Sequence, residues 1–176
     1  IRRTTTSHPA NPNASEDARK VLSYIASLPD RPDKRVISGQ FVGHGEDIAV
    51  GGYGWNQWIE GLHDATGKWP AMIGADYYKP WDTSRQDTSI VNGTLIEYWR
   101  AGGLVTLYCS INNPWTGGGC FNEDNPGWDP RSVDLMDLIT PGSPVYEAWM
   151  EELDYIAVGL SELRDAGVVV LWRPFP

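Results

Sequence analysis

No apolar run in the sequence approaches the roughly 18 residues that a membrane-crossing helix needs, so no membrane partner is expected. Basic residues are also scarce. Fourteen Lys and Arg stand against 23 Asp and Glu, a formal net charge of −9, and such a chain repels nucleic-acid phosphates. Cysteine is nearly absent. Cys109 and Cys120 are too few for a zinc site or a disulfide framework. They permit one bridge closing a short loop, with two unbonded buried thiols as the other reading. The glycine signatures of phosphate binding are missing too. The turn after Ile37 reads SGQFVG rather than GxGxxG directly before a helix, and no GxxxxGK[ST] occurs. His44-Gly45-Glu46-Asp47 holds metal-capable groups, but no second cluster has ligand spacing, so neither a metal nor any cofactor is expected.

Phenylalanine is scarce in a way that points elsewhere. There are 3 Phe against 9 Trp and 8 Tyr. A core built for packing alone favours Phe, Leu and Ile, because each Trp must also satisfy an N–H. Excess Trp therefore hints at flat surfaces for a ligand, and sugars, whose C–H faces stack on indole, are the first candidate. Hydrophobic residues at 41% and charged residues at 21% are otherwise globular proportions. An acidic, Trp-rich chain with at most one bridge fits an exported, extracellular protein. No signal-peptide pattern stands at Ile1, so any such segment is expected to have been removed or never present.

Residues 1–14 are polar and irregular. Ser15 offers an N-cap, and Ala18, Val21, Leu22, Ile25 and Leu28 recur at helical spacing until Pro29. Four apolar segments then alternate with helical ones. Strands are predicted at 34–40, 70–76, 104–109 and 168–172, and helices at about 55–66, 91–101 and 143–166. In the last helix Ser143 caps, Pro144 opens the first turn, and Val145, Trp149, Leu153, Ile156, Leu160 and Leu163 form the buried stripe. Strands apolar on both faces, separated by helices, imply a parallel sheet covered by helices. A doubly wound sheet and a (β/α)8 barrel both use that plan. The long segments 41–54, 77–87 and 110–142 all follow strands, which favours a barrel with its site at the carboxyl ends. That places Trp55, Trp81, Trp115 and Trp128 on or near one rim, whereas Trp99 and Trp149 lie on helix faces and read as core. Asn13-Ala-Ser and Asn92-Gly-Thr match the N-glycosylation pattern.

Several stretches resemble the family 26 glycoside hydrolases, best known for endo-β-1,4-mannanase activity. They are ISGQ (37–40), ATGKWPAMIGADYY (65–78), EYWRAGGLVTL (97–107) with NNPWTGG (112–118), and VVVLWRPF (168–175). The resemblance implies a (β/α)8 TIM barrel of the α/β class. On that reading residues 15–176 are the N-terminal half of the catalytic domain, about its first four strands. It implies a retaining hydrolase of β-1,4-mannan, glucomannan or galactomannan. In such enzymes a His-Glu follows Arg-Pro-aromatic, and that Glu is the acid/base. Here Pro176 follows Arg173-Pro174-Phe175, so the acid/base is expected just beyond the chain, with the nucleophile on an absent seventh strand. Relatives often carry Ser-Trp-His on the third strand, where this chain has Cys109-Ser110.

The resemblance makes Arg173 the residue that orients the carboxylates. Asp76, at the end of the second strand, is the best remaining carboxylate near the rim and is expected to hydrogen-bond its neighbours. Trp115, Trp81 and Tyr77 are candidate sugar platforms, and Asn112 and Asn113 candidate sugar donors, with turn formation before Pro114 the alternative. Retaining hydrolysis needs two carboxyls about 5–5.5 Å apart, and residues 168–176 contain none, so the isolated chain is expected to be inactive. A barrel takes about 250 residues. The expected partner is therefore the C-terminal half-barrel or a second copy covering the open core. A non-catalytic carbohydrate-binding protein and a hydrolase of another β-glycan such as xylan remain the alternatives.

Overall fold

The computed structural model describes residues 8–33, 36–79, 83–121 and 125–174. The chain divides into two compact units, up to Ser38 and from Gly39. The first unit reaches beyond the expected lead-in of 1–14, because it contains helix α1 (Glu16–Ser27). The Ser15 hydroxyl accepts from Ala18 N at 3.1 Å, and Glu16 and Asp17 place negative charge in the first turn. Pro29 converts the end into a 3₁₀ turn, Leu28–Asp30.

The second unit holds four parallel strands in the order β1-β2-β3-β4: β1 (Gly39–His44), β2 (Met72–Asp76), β3 (Leu104–Tyr108) and β4 (Val170–Arg173). A doubly wound sheet reverses its strand order at a switch point. This sheet does not, which is the barrel arrangement. Helix α2 (Gly61–Thr66), preceded by a π-helical segment over Trp55–Glu60, joins β1 to β2. Helix α3 (Thr88–Arg100) joins β2 to β3, and α4 (Tyr146–Asp165) joins β3 to β4. Gly67 ends α2 with φ 67°, the left-handed cap that favours glycine. Asp87 caps α3 by accepting from Ser89 N.

Period-two alternation sorts the strands. Ile73, Ala75, Val105, Leu107, Val170 and Trp172 face the helices and meet Ile59, Val91, Leu95, Ile156 and Leu163 in one core. Phe41, Met72, Gly74, Thr106, Tyr108 and Arg173 line the opposite face, around an open cavity of about 480 Å³.

Two expectations are corrected. The first strand lies not at 34–40 but at 39–44, overlapping the expected strand only at 39–40 and running into the segment read as a loop. Lys34 and Arg35 are outside the described residues, and Val36 is 90% exposed. The sheet ladder decides this: Gly39 pairs with Met72 and His44 with Asp76, and a bulge between Phe41 and Gly43 turns Val42 into the core. The buried face of α4 is likewise rotated. Leu153 is half-exposed, and Glu152, Ile156, Gly159 and Leu163 are the buried residues, because Tyr77 and Tyr78 dock there. Helix α4 itself starts at Tyr146, with the Ser143 hydroxyl still accepting from Tyr146 N.

Candidate functional site

The carboxyl ends of β1, β2 and β3 converge on Asp76. It is fully buried and accepts three hydrogen bonds, with His44 beside it. Oδ1 takes the backbone N–H groups of Tyr78 and Ser110, each at 3.0 Å. Oδ2 takes the Ser110 hydroxyl at 2.6 Å and lies 3.2 Å from His44 Nδ1. The last residues of β1 and β2, and the second residue after β3, are thereby tied to one carboxylate. On the inner face Phe41 stacks on Tyr108 at 5.7 Å, and the Arg173 guanidinium lies 4.4 Å from the centre of the Tyr108 ring. Arg173 Nε also donates to the Thr106 hydroxyl at 3.2 Å, and that hydroxyl donates to the Leu171 carbonyl. Burial first, then the Asp76 charge, pushes the Tyr108 hydroxyl up to about 12, with Arg173 opposing. Tyr108 is therefore a neutral donor at any working pH.

Beyond β3 a second cavity, about 340 Å³, is lined by Ser110, Trp115, Cys120, Trp128 and Pro174 among others. Trp115 and Trp128 stack on each other at 6.3 Å and 28°. Trp115 Nε1 is buried without a hydrogen-bond partner among the described residues.

Arg173, Asp76 and Trp115 thus gather at the strand ends as the sequence places them. Others do not. Tyr77 is no rim platform: it is 0% exposed, its hydroxyl donates to Asn92 Oδ1 at 2.8 Å, and it continues the helix-facing register of Ile73 and Ala75. The Asn112 amide donates to the Thr83 carbonyl. Asn113 builds the turn, its side chain accepting from Trp115 N and its carbonyl from Gly117 N. Trp81 lies outside the described residues. Trp55 sits away from the rim, edge-on to Tyr98. Asn92 is fully buried, with its amide held by the Gly159 carbonyl and by Glu162, so it is no glycosylation acceptor in the folded chain.

Cys109 and Cys120 form no disulfide. Cys109 continues the outward register of Val105 and Leu107 and packs in the core, whereas Cys120 is exposed on the loop. Burial pushes the Cys109 thiol far above its ordinary value. Titration of the native chain with a thiol-reactive dye should accordingly label Cys120 within minutes and Cys109 only after unfolding. Two fast thiols, or none, would contradict this arrangement.

Residues that the sequence reading missed are His44, Ser110 and Tyr108 at the strand ends and the Tyr78–Glu152 pair behind them, whose hydroxyl-to-carboxylate bond is 2.7 Å. His44 becomes findable once β1 ends at 44, since it then pairs directly with Asp76 in the sheet. Among the described residues, no group of three or more His, Cys, Asp or Glu is placed to hold a metal ion.

Sequential parallel strands, helices on one face and polar and aromatic groups at the carboxyl ends define consecutive units of a βα-barrel. The model of glycosyl hydrolase family 26 matches residues 10–176, and the chain belongs to that family. It is 32% identical over 173 residues to a mannan endo-1,4-beta-mannosidase of Bacillus subtilis, covering 96% of this chain and 45% of that protein. It is 33% identical over 170 residues to mannan endo-1,4-beta-mannosidase A and B of Caldalkalibacillus mannanilyticus, covering 94% of this chain and 31% of that one. Among solved structures, the YdhT protein from Bacillus subtilis superposes with a TM-score of 0.80 at 30% identity, over 97% of this chain and 49% of that chain. The beta-mannanase from a symbiotic protist of the termite Reticulitermes speratus, solved with a gluco-manno-oligosaccharide, gives 0.74 at 27% identity, over 96% and 51%. The chain therefore spans about half the length of the solved relatives, and less than half of the curated ones.

Proposed function

We propose that this chain supplies the first four βα units of a retaining hydrolase of β-1,4-mannan, and that it binds the polysaccharide through the cavity of Trp115 and Trp128. The observation that carries the reading is the pairing of this stacked indole platform with Arg173, at the carboxyl ends of adjacent strands, in a family whose similar members are named mannanases. Stacked indoles offer the flat faces that sugar rings take up. Asp76 spends both oxygens on hydrogen bonds within the protein, which suits positioning rather than attack or protonation. The two catalytic carboxyls then come from further βα units, which, or else a second copy, would also cover the inner face around Phe41, Met72 and Tyr108. A polymeric substrate too large to enter a cell supports an extracellular location.

The test is binding and turnover by the 176-residue chain. Calorimetry with manno-oligosaccharides should show binding that Trp115→Ala weakens about tenfold, a loss of ~1.4 kcal/mol. Galactomannan should release no reducing ends. Equal affinity in Trp115→Ala, or preference for xylo-oligosaccharides, overturns the proposed substrate site. Hydrolysis by the chain alone overturns the placing of the carboxyls elsewhere.

A further inference from the structure

A second aromatic cleft lies at the other end of the sheet. It has a volume of about 320 Å³ and is walled by Val50, Trp55, Trp69, Tyr98 and Glu97, with Gly103 at its base. Gly103 immediately precedes β3, and the Tyr98 hydroxyl donates to the carbonyl of Pro70, just before β2. The cleft therefore opens at the amino ends of the strands, while Arg173, Asp76 and Trp115 lie at or beyond the carboxyl ends.

Its rings are held in place. Trp55 stands edge-on to Tyr98 at 6.3 Å and 77°, with its Nε1 donating to Glu60 Oε1 at 3.1 Å. His63 lies flat against Trp69, 4.0 Å away at 15°, yet Trp69 remains 53% exposed. Fixing an indole this way leaves little side-chain entropy to lose on binding. An exposed tryptophan braced by a second ring gains nothing for the fold from its uncovered area.

The chemistry around the cleft selects the ligand. Glu97 at its wall, Glu60 beside Trp55 and the net charge of −9 disfavour anionic ligands. A neutral ligand with apolar faces and hydroxyl donors fits both features: C–H faces against Trp55 and Trp69, hydroxyls toward the Glu97 carboxylate. We propose that this cleft is a second, non-catalytic binding site for a neutral β-linked hexose polymer. The proposal rests on the mannan reading for the identity of the sugar, but not for its existence. On a polymer, two sites at opposite ends of the sheet raise each other's effective concentration, so a weak cleft adds retention without adding chemistry.

The test is affinity electrophoresis of the 176-residue chain in native gels containing galactomannan or xylan. The measurement is made in a Trp115→Ala background to weaken the first site. That parent should still be retarded by galactomannan. Adding Trp69→Ala should weaken its apparent affinity about tenfold, while Trp58→Ala, which removes an exposed tryptophan outside the cleft, should not. Matched circular dichroism and thermal midpoints exclude misfolding. A Trp115→Ala chain that is not retarded in either gel, or a Trp69→Ala addition without effect, overturns the second site. Retardation by xylan alone that Trp69→Ala abolishes leaves the second site standing and overturns mannan as its ligand.

Discussion

Asp76→Ala should destabilise the second unit by about 3–5 kcal/mol, a large share of the 5–15 kcal/mol typical of a whole domain. The size follows from what the carboxylate holds. The N–H groups of Tyr78 and Ser110 and the Ser110 hydroxyl all donate to it, and His44 approaches its second oxygen. Alanine leaves two backbone donors buried without acceptors at a site that is 0% exposed. Each such orphan costs about 1–3 kcal/mol, and no side chain of alanine replaces the lost oxygens. Asp76→Asn keeps the Oδ1 acceptor for both N–H groups and presents an amide to the Ser110 oxygen, so its cost should be nearer 1–2 kcal/mol. Urea unfolding followed by Trp fluorescence separates the two. A cost for Asp76→Ala within about 1 kcal/mol of zero would mean that water or His44 replaces the carboxylate, and that the strand ends are not organised around it.

This network explains how the strand ends are held together around one buried carboxylate. Three consecutive residues at and after the end of β2 are locked in three directions. Asp76 holds β1 and the turn after β3. The Tyr77 hydroxyl donates to Asn92 on α3. The Tyr78 hydroxyl donates to Glu152, buried on α4, and burial together with that bond holds it protonated. Arg85 reaches the same Glu152 at 3.4 Å. The loop 77–87 therefore departs from a fixed base.

How far the sequence is legible follows from two local rules and one non-local fact. Strands β2 to β4 are apolar, bounded by glycines and prolines, and read correctly to within two residues. The strand β1 is not, because Gly39, Gly43 and a bulge make a poor strand by composition, and only pairing with β2 selects it. Alternation carries the rest. Residues 73, 75 and 77 must share a face, as must 105, 107 and 109. That rule alone sends Tyr77 and Cys109 toward the helices, and leaves Asp76 and Ser110 on the inward side. The departure at Ser110, read as a lost histidine, is the donor that fixes Asp76. The Asp76–His44 contact spans 32 residues, and no local pattern encodes it.

Packing and helix propensity make opposite predictions at one position, Gly159. Glycine inside a helix is about 1 kcal/mol worse than alanine, so propensity alone says that Gly159→Ala on α4 stabilises. A Cβ there would lie 2.7 Å from the Tyr77 hydroxyl oxygen and 2.8 Å from its Cζ, closer than such atoms approach in real structures. Tyr77 has nowhere to go. It is fully buried, its hydroxyl is bonded to Asn92, and the Asn92 amide donates to the carbonyl of Gly159 itself. Overpacking costs about 1–3 kcal/mol, and a broken buried hydrogen bond adds about 1 more. Gly159→Ala should therefore destabilise by about 1–3 kcal/mol after the propensity gain is counted. Gly93 on α3 is the internal comparison: it is exposed, and a Cβ there meets nothing within 4 Å. Gly93→Ala should stabilise by about 0.5–1 kcal/mol. Opposite signs in the same denaturation assay are the expected result. If Gly159→Ala also stabilises, then Tyr77 yields to the new methyl group, and the Tyr77–Asn92–Gly159 contact does not fix α4 against the base of loop 77–87.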